Sequence, residues 1–205
     1  MNTNTKDILN EIKNLTVSER RNLSYEELKE MLPKLSCNEI IEMSRLIGYP
    51  VFTRLCMGEI GHHFVLLQDG AAAIIVNAEG QILLQKRRDN DEWGLPGGCQ
   101  EVGESFSEVI IREVKEETNL DVDQLQLIDV VSGMSRKNAY PNGDVVINNT
   151  ILYYIDQYHG ELKWDEESKE LRFFDLEQLP DEDKQNDPDL IKVYKKWREK
   201  HETKR

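Results

Sequence analysis

The sequence predicts an α+β fold, with a small helical segment over residues 1–60 in front of a β-rich domain over residues 61–205. Three observations predict it. Helix-start signals follow one another closely in the first sixty residues. From about residue 61 the pattern changes to short apolar and alternating runs separated by turn residues. One helical stretch, roughly 104–118, interrupts those runs, and a second closes the chain.

The N-terminal signals are three capping boxes, Thr16-Val-Ser-Glu19, Ser24-Tyr-Glu-Glu27 and Ser36-Cys-Asn-Glu39. Each sets a hydroxyl at the N-cap three residues before a Glu whose carboxylate can reach back. Leu28, Met31 and Leu32 form an apolar stripe after the second box; Ile40, Ile41, Met43 and Leu46 form one after the third. Pro33 and Gly48-Tyr-Pro50 are expected to end these helices. Such helices suit a packing or dimerisation element. In the next segment Ala71–Val76 and Ile82–Leu84 read as strands joined at Asn77-Ala-Glu-Gly80. Leu125–Val131 and Val145–Ile155 read as further strands, the latter with Val145, Ile147, Ile151, Tyr153 and Ile155 on one face. Tyr140-Pro-Asn-Gly-Asp144 between them is turn chemistry. A short strand is expected near Leu162, after Gly160, and a last one over Leu171–Phe174. After a polar linker, Asp187-Pro188 opens a terminal helix with Leu190, Tyr194 and Trp197 on one side.

Composition narrows the function. The 205 residues carry a net charge of −13, and all of it sits in the middle, where residues 61–180 hold 10 basic and 23 acidic side chains. That balance argues against a duplex-DNA binder, which needs clustered Lys and Arg to neutralise phosphates. A phosphate substrate remains open, provided that a cation bridges it to the protein. No apolar run approaches the ~18–20 residues of a membrane span, and no signal-peptide pattern opens the chain. Cys37, Cys56 and Cys99 are an odd number at no metal-ligand spacing, and are expected to be reduced, buried thiols of a cytoplasmic protein.

The helix at 104–118 carries the chemistry. At ~100° per residue, Phe106, Val109, Ile110 and Val114 mark its inward face. Glu113 and Glu117 fall inside that stripe and Glu116 at its edge, whereas Lys115, Glu108 and Thr118 are expected to point away. Three carboxylates at i, i+3 and i+4 repel one another, and partial burial raises the cost. Arg112 is the one Arg within reach along the helix. A hard divalent cation with oxygen ligands resolves the conflict. Upstream, Trp93-Gly-Leu-Pro-Gly-Gly98 lets the backbone approach an anion or a metal closely.

Together these residues resemble the signature box of the Nudix hydrolases. Gly98, five residues, Glu104, seven residues, then Arg112-Glu113-Val114-Lys115-Glu116-Glu117-Thr118-Asn119-Leu120 match eight of its nine specified positions. The departure is Asn119 in place of Gly, a mild change because Asn best tolerates the left-handed backbone expected there. Gln85-Lys-Arg-Arg88 and the segment 171–180 also resemble the family, so the resemblance covers about residues 66–180.

The resemblance implies a mixed sheet sandwiched between helices, and Mg²⁺ (with Mn²⁺ as a substitute) bound by the Gly98 carbonyl, Glu113, Glu116 and Glu117. Arg112 would pair with Glu104 and hold the carboxylates. Glu167 is the candidate for an additional carboxylate from a later loop, with Glu166 and Glu170 as rivals; Glu117 or that carboxylate would be the general base. Arg87 and Arg88 are candidates for phosphate contacts, and Trp93 and Tyr140 for stacking on a base, though each aromatic also suits plain packing. The implied reaction is hydrolysis of a pyrophosphate bond in a nucleoside diphosphate-linked substrate. Residues that distinguish family subclasses leave the substrate open: Met134 stands where the ADP-ribose subclass has Pro, and 135–137 lack the dinucleoside-polyphosphate Tyr. A homodimer is expected, because residues 1–60 add apolar helical faces that need covering. The alternative function is a non-hydrolysing nucleotide sensor that signals through those helices.

Overall fold

A computed structural model describes residues 5–16, 19–20, 23–24, 26, 30, 32–48, 52–53, 56–57, 65–139 and 145–202. Their contacts group into two compact units. One lies within 1–68, 99–104 and 137–147, and the other within 69–98, 105–136 and 148–205.

In the first unit, helices α1 (Thr5–Asn14) and α2 (Cys37–Ile47) enclose a small core of Leu9, Ile12, Met43, Ile47 and Phe52. Two of the three capping boxes form as the sequence suggests. Thr16 N–H donates to Glu19 at 2.8 Å, and Ser36 N–H to Glu39 at 2.8 Å. Tyr25 and Glu27 of the second box, its stripe residues Leu28 and Met31, and Tyr49-Pro50 lie outside the described residues. Arg20 spans the two helix ends. Its guanidinium donates to the carbonyls of Ile12 (3.0 Å), Lys13 (2.7 Å) and Leu46 (3.3 Å), groups that helix termini leave without partners. Pro33 sits within a single 3₁₀ turn, Leu32–Lys34. In the same unit, β7 (Lys137–Ala139) runs antiparallel to the start of β8, with Lys137 opposite Ile147.

The second unit is a three-layer sandwich with an α+β mixed sheet. Its strands are ordered β4 (Gly97–Cys99), β1 (Val65–Ile75), β8 (Val145–Ile155) and β6 (Gln126–Val131). A second sheet is ordered β10 (Ser168–Phe174), β2 (Ile82–Arg87) and β3 (Trp93–Gly94). On one side, helix α3 (Phe106–Thr118) packs Val109, Ile110 and Val114 on Ala71, Ala73, Ile75, Ile151, Tyr153 and Ile155. On the other, helix α4 (Pro188–Glu202) packs Leu190, Ile191 and Tyr194 on Ala72, Ile74, Val76 and Leu152. The run Ala71–Val76 is therefore apolar throughout because both of its faces are covered. The same holds for the end of β8, where Leu152 is as buried as the face that the alternation marked.

Three sequence expectations need correction. The strand near Gly160 precedes it, as β9 (Tyr158–His159), which pairs with β5 (Asp121–Val122); the polar residues after Gly160 make no ladder. Thr118 faces inward, fully buried, because it lies one turn beyond Val114 on the same stripe, and its hydroxyl donates to the Val114 carbonyl. The cysteines are free, but Cys37 is exposed at the start of α2, and Cys56 and Cys99 are only half-buried.

Helix α3 starts at another capping box, Ser105 with Glu108, and ends at Asn119 in the left-handed conformation (φ 62°, ψ 10°). The Asn119 side chain donates to the Glu161 carbonyl at 2.8 Å, a bond that Gly could not make. Asn119→Gly is expected to change stability by less than ~1 kcal/mol, easier backbone offsetting the lost bond. Asn119→Ala is expected to cost about 1–2 kcal/mol, because it loses the bond and keeps the strain. Urea unfolding of the two variants checks this. No helix of the described residues is long and apolar enough to cross a membrane.

Candidate active site

The inward stripe of α3 brings its carboxylates against β4. Glu117 is buried, and its Oε2 accepts the Gly97 N–H at 2.8 Å. Glu113 lies one turn earlier, with its carboxylate packed on Gly98 where any Cβ would overlap it. Glu116, at the edge of the stripe, is exposed. Arg112 Nη1 donates to Glu113 at 2.7 Å and to Glu116 at 3.2 Å. Glu104 lies in the first unit, where its carboxylate accepts the Glu101 N–H at 3.0 Å.

Burial dominates the electrostatics. It pushes the Glu117 carboxyl up to about 8, and the neighbouring Glu113 charge adds to the rise. The Gly97 N–H, the Gln85 side chain and the Arg87 charge oppose it without prevailing. Burial likewise raises Glu113, against the pull of Arg112. A cation beside these two carboxyls, one buried and one half-buried, would favour their ionised forms.

The loop before β10 supplies the remaining groups. Asp165 accepts from Glu167 N–H (3.0 Å), Ser168 N–H (3.1 Å) and Ser168 Oγ (2.9 Å), which closes a tight turn. Glu167 is exposed, on the turn that Asp165 closes. Of its rivals, Glu170 pairs with Arg172, whereas the exposed Glu166 has only its backbone carbonyl bound, by Arg88.

The expected substrate contacts divide. Arg87 is held bidentately by Asp89 (3.0 and 2.9 Å), and this pairing raises the pKa of its guanidinium; its charge also acts on Glu117 and Glu167. The Arg88 guanidinium is committed to the Glu166 and Ser168 carbonyls, at 2.8 and 2.9 Å. Trp93 is 9% exposed and meets Phe174 edge-to-face, with 4.9 Å between centroids and Arg172 over the ring. Its ring belongs to the core and leaves little surface for a base. Tyr140 lies outside the described residues.

The sequence reading passed over Gln85 and Ser168. Both are buried, and Gln85 Nε2 donates to Ser168 Oγ at 2.7 Å. The signal was present in Ile82-Leu-Leu-Gln85, where an amide continues a run of core positions.

The donor set is all oxygen and suits a hard divalent cation. Among the described residues, no three Asp, Glu, His or Cys side chains converge closely enough to hold an ion by themselves. Mg²⁺ does not require that, since it commonly takes one or two carboxylates and completes its shell with water and substrate phosphates.

Residues 66–196 match the family model described as NUDIX domain. An ADP-ribose pyrophosphatase of Methanocaldococcus jannaschii is 38% identical over 131 residues, 60% of this chain and 71% of that protein. A putative ADP-ribose pyrophosphatase of Bacillus subtilis, YjhB, is 34% identical over 115 residues, 56% of this chain and 52% of that protein. The crystal structure of a MutT NUDIX hydrolase from Burkholderia pseudomallei superimposes with a TM-score of 0.52 at 26% identity, covering 62% of this chain and 97% of that one. With the box carboxylates gathered on one helix against the Gly97–Gly98 strand, and with a family match over most of its length, this chain belongs to the Nudix hydrolases.

Proposed function

We propose that the protein is a Mg²⁺-dependent pyrophosphohydrolase acting on a nucleoside diphosphate linked to a second group, with ADP-ribose as the first candidate. The observation that carries this reading is the buried Glu117 and half-buried Glu113 against Gly97 and Gly98. The substrate class is supported by the names of the Methanocaldococcus and Bacillus relatives.

The Gly98 carbonyl, Glu113, Glu116 and Glu117 are the residues that would hold the cation. Bound there, it would neutralise diphosphate oxygens and lower the pKa of an attacking water. Arg112 keeps Glu113 and Glu116 oriented through its two hydrogen bonds. Arg87, locked by Asp89, presents positive charge to an anionic substrate. Glu167 takes the proton of the water, and its backbone is pinned for that role by Asp165 and by the Arg88 N–H. Water adds to one phosphorus as the bridging P–O bond breaks, yielding a nucleoside monophosphate and a phosphorylated remainder.

The test is a hydrolysis assay of purified protein with Mg²⁺ on ADP-ribose, nucleotide sugars, CDP-alcohols, nucleoside triphosphates and dinucleoside polyphosphates. AMP and ribose 5-phosphate from ADP-ribose are expected. Silence across the panel, with Mn²⁺ binding intact, would overturn hydrolysis and favour the sensing role.

A further inference from the structure

Trp164 is 56% exposed, although an indole is a large apolar group that folding usually buries, as it does Trp93. Its backbone, in contrast, is anchored on both sides. Before it, Leu162 packs on the core that α3 covers. The Glu161 carbonyl accepts from Asn119 Nδ2 at 2.8 Å, and the Lys163 N–H donates to the Thr118 carbonyl at 3.0 Å. Thr118 follows Glu117 directly, so these bonds fix the chain beside the end of α3 that bears Glu116 and Glu117. After Trp164, the Asp165 carboxylate closes the turn through Glu167 N–H, Ser168 N–H and Ser168 Oγ. Arg88 ties that turn to the end of β2. Its N–H donates to the Glu167 carbonyl at 2.8 Å, and its guanidinium to the Glu166 and Ser168 carbonyls. Trp164 therefore stands on a fixed stretch between the helix end next to Glu117 and the turn that carries Glu167. Among the described residues, no other ring and no cation covers its indole.

We propose that Trp164 is a specificity-determining residue, whose indole stacks on the nucleobase of the substrate. A Trp side chain has only two χ angles to order, and on an anchored backbone it offers a π-face at low entropic cost. Every nucleobase has a π-face to meet it. The surrounding charge decides which part of the substrate that is. Glu161, Asp165, Glu166 and Glu167 flank the ring in sequence, and the one basic neighbour, Lys163, is paired with Glu161 at 3.0 Å. This acidic stretch repels a diphosphate, whose place is with the cation, but does not repel an uncharged base. Trp93 cannot serve instead, because its ring is committed to Phe174 and the core. The inference rests on the pyrophosphohydrolase reading above and adds to it the group that recognises the base.

The test compares wild type with Trp164→Ala and Trp164→Phe. Both are expected to fold, because the side chain is largely in water. Trp164→Ala should raise KM for ADP-ribose, and weaken binding of its base-bearing product AMP by calorimetry, roughly 5–150-fold, the range for losing one base–aromatic stack. Its kcat should change far less than KM, and Trp164→Phe should recover most of the loss. AMP should quench the tryptophan emission of wild type, ribose 5-phosphate should not, and Trp164→Ala should lose the AMP quench. Unchanged KM and AMP affinity in Trp164→Ala would overturn the proposal and leave Trp164 a surface residue. An equal loss of ribose 5-phosphate binding would overturn the assignment to the base. Should Trp164→Ala fail to fold, Trp164→Phe and the wild-type quench carry the comparison. A wild type that hydrolyses no member of the substrate panel would overturn the pyrophosphohydrolase reading itself, a result distinct from active enzyme whose KM ignores Trp164.

Discussion

Glu117→Gln is expected to lower kcat by ~10³-fold or more while the protein folds normally, since it removes a charge from the centre of the candidate site. Its stability effect has a sign that distinguishes a functional carboxylate from a structural one. The Glu117 carboxyl is raised from an ordinary value of 4.5 to about 8 in the folded protein. A group raised in this way favours the fold while it is protonated. That contribution is fully present below pH 4.5 and is lost as pH rises through about 8. Each unit of the difference corresponds to ~1.4 kcal/mol. Gln stays neutral throughout. In chelator, Glu117→Gln should therefore melt above wild type at pH 9 and close to it at pH 5. A gap of equal size at both pH values would show that burial does not hold this carboxyl as described. Adding Mg²⁺ at pH 9 should stabilise the wild type and leave the variant nearly unchanged, because a cation that stabilises the ionised form acts by binding the folded state.

Gly97→Ala is expected to cost more than ~3 kcal/mol and to prevent stable folding, because its conflict is with backbone. Gly97 has φ +150°, and a Cβ there would overlap the Ala71 carbonyl oxygen and lie 2.7 Å from Ala72 Cα, atoms at the centre of the sheet that have no room to yield. The neighbouring Gly98→Ala is expected to behave differently. Its Cβ would collide with the Glu113 carboxylate, the free end of a flexible side chain. The protein should fold within ~1–2 kcal/mol of wild type but with Glu113 displaced, so that the loss appears in turnover and metal affinity. Thermal unfolding and Mg²⁺-dependent hydrolysis of the two variants separate these cases. Equal stability of both would refute the close approach at Gly97.

Most of the site was legible because it lies within one helix and the turn before it. Glu113 and Glu117 interrupt an apolar stripe, and helical periodicity alone places them against the core; the burial of Glu117 and half-burial of Glu113 follow from that. The spacing from Gly98 to Glu113 needed no tertiary knowledge once the family box was recognised. Asn119 as a left-handed cap was also local, because Asn is the residue after Gly that best accepts that backbone.

What stayed hidden depended on partners distant in the chain. Gln85 is one polar residue after an apolar run, and nothing nearby says that its amide meets Ser168, which lies 83 residues further on. Arg88 could face solvent, phosphate or protein as far as its neighbours are concerned; only the return of the chain at 166–168 commits it to carbonyls. Trp93 suits a base as well as a core until Phe174 and Arg172 arrive on β10. Composition and periodicity determined the α+β class, the position of the internal helix and the identity of its charged residues, since these follow from propensity and spacing along neighbouring residues. The tertiary structure alone decided which arginine is already occupied and how the buried amide points, because hydrogen-bond partners depend on distance in space rather than on distance in sequence.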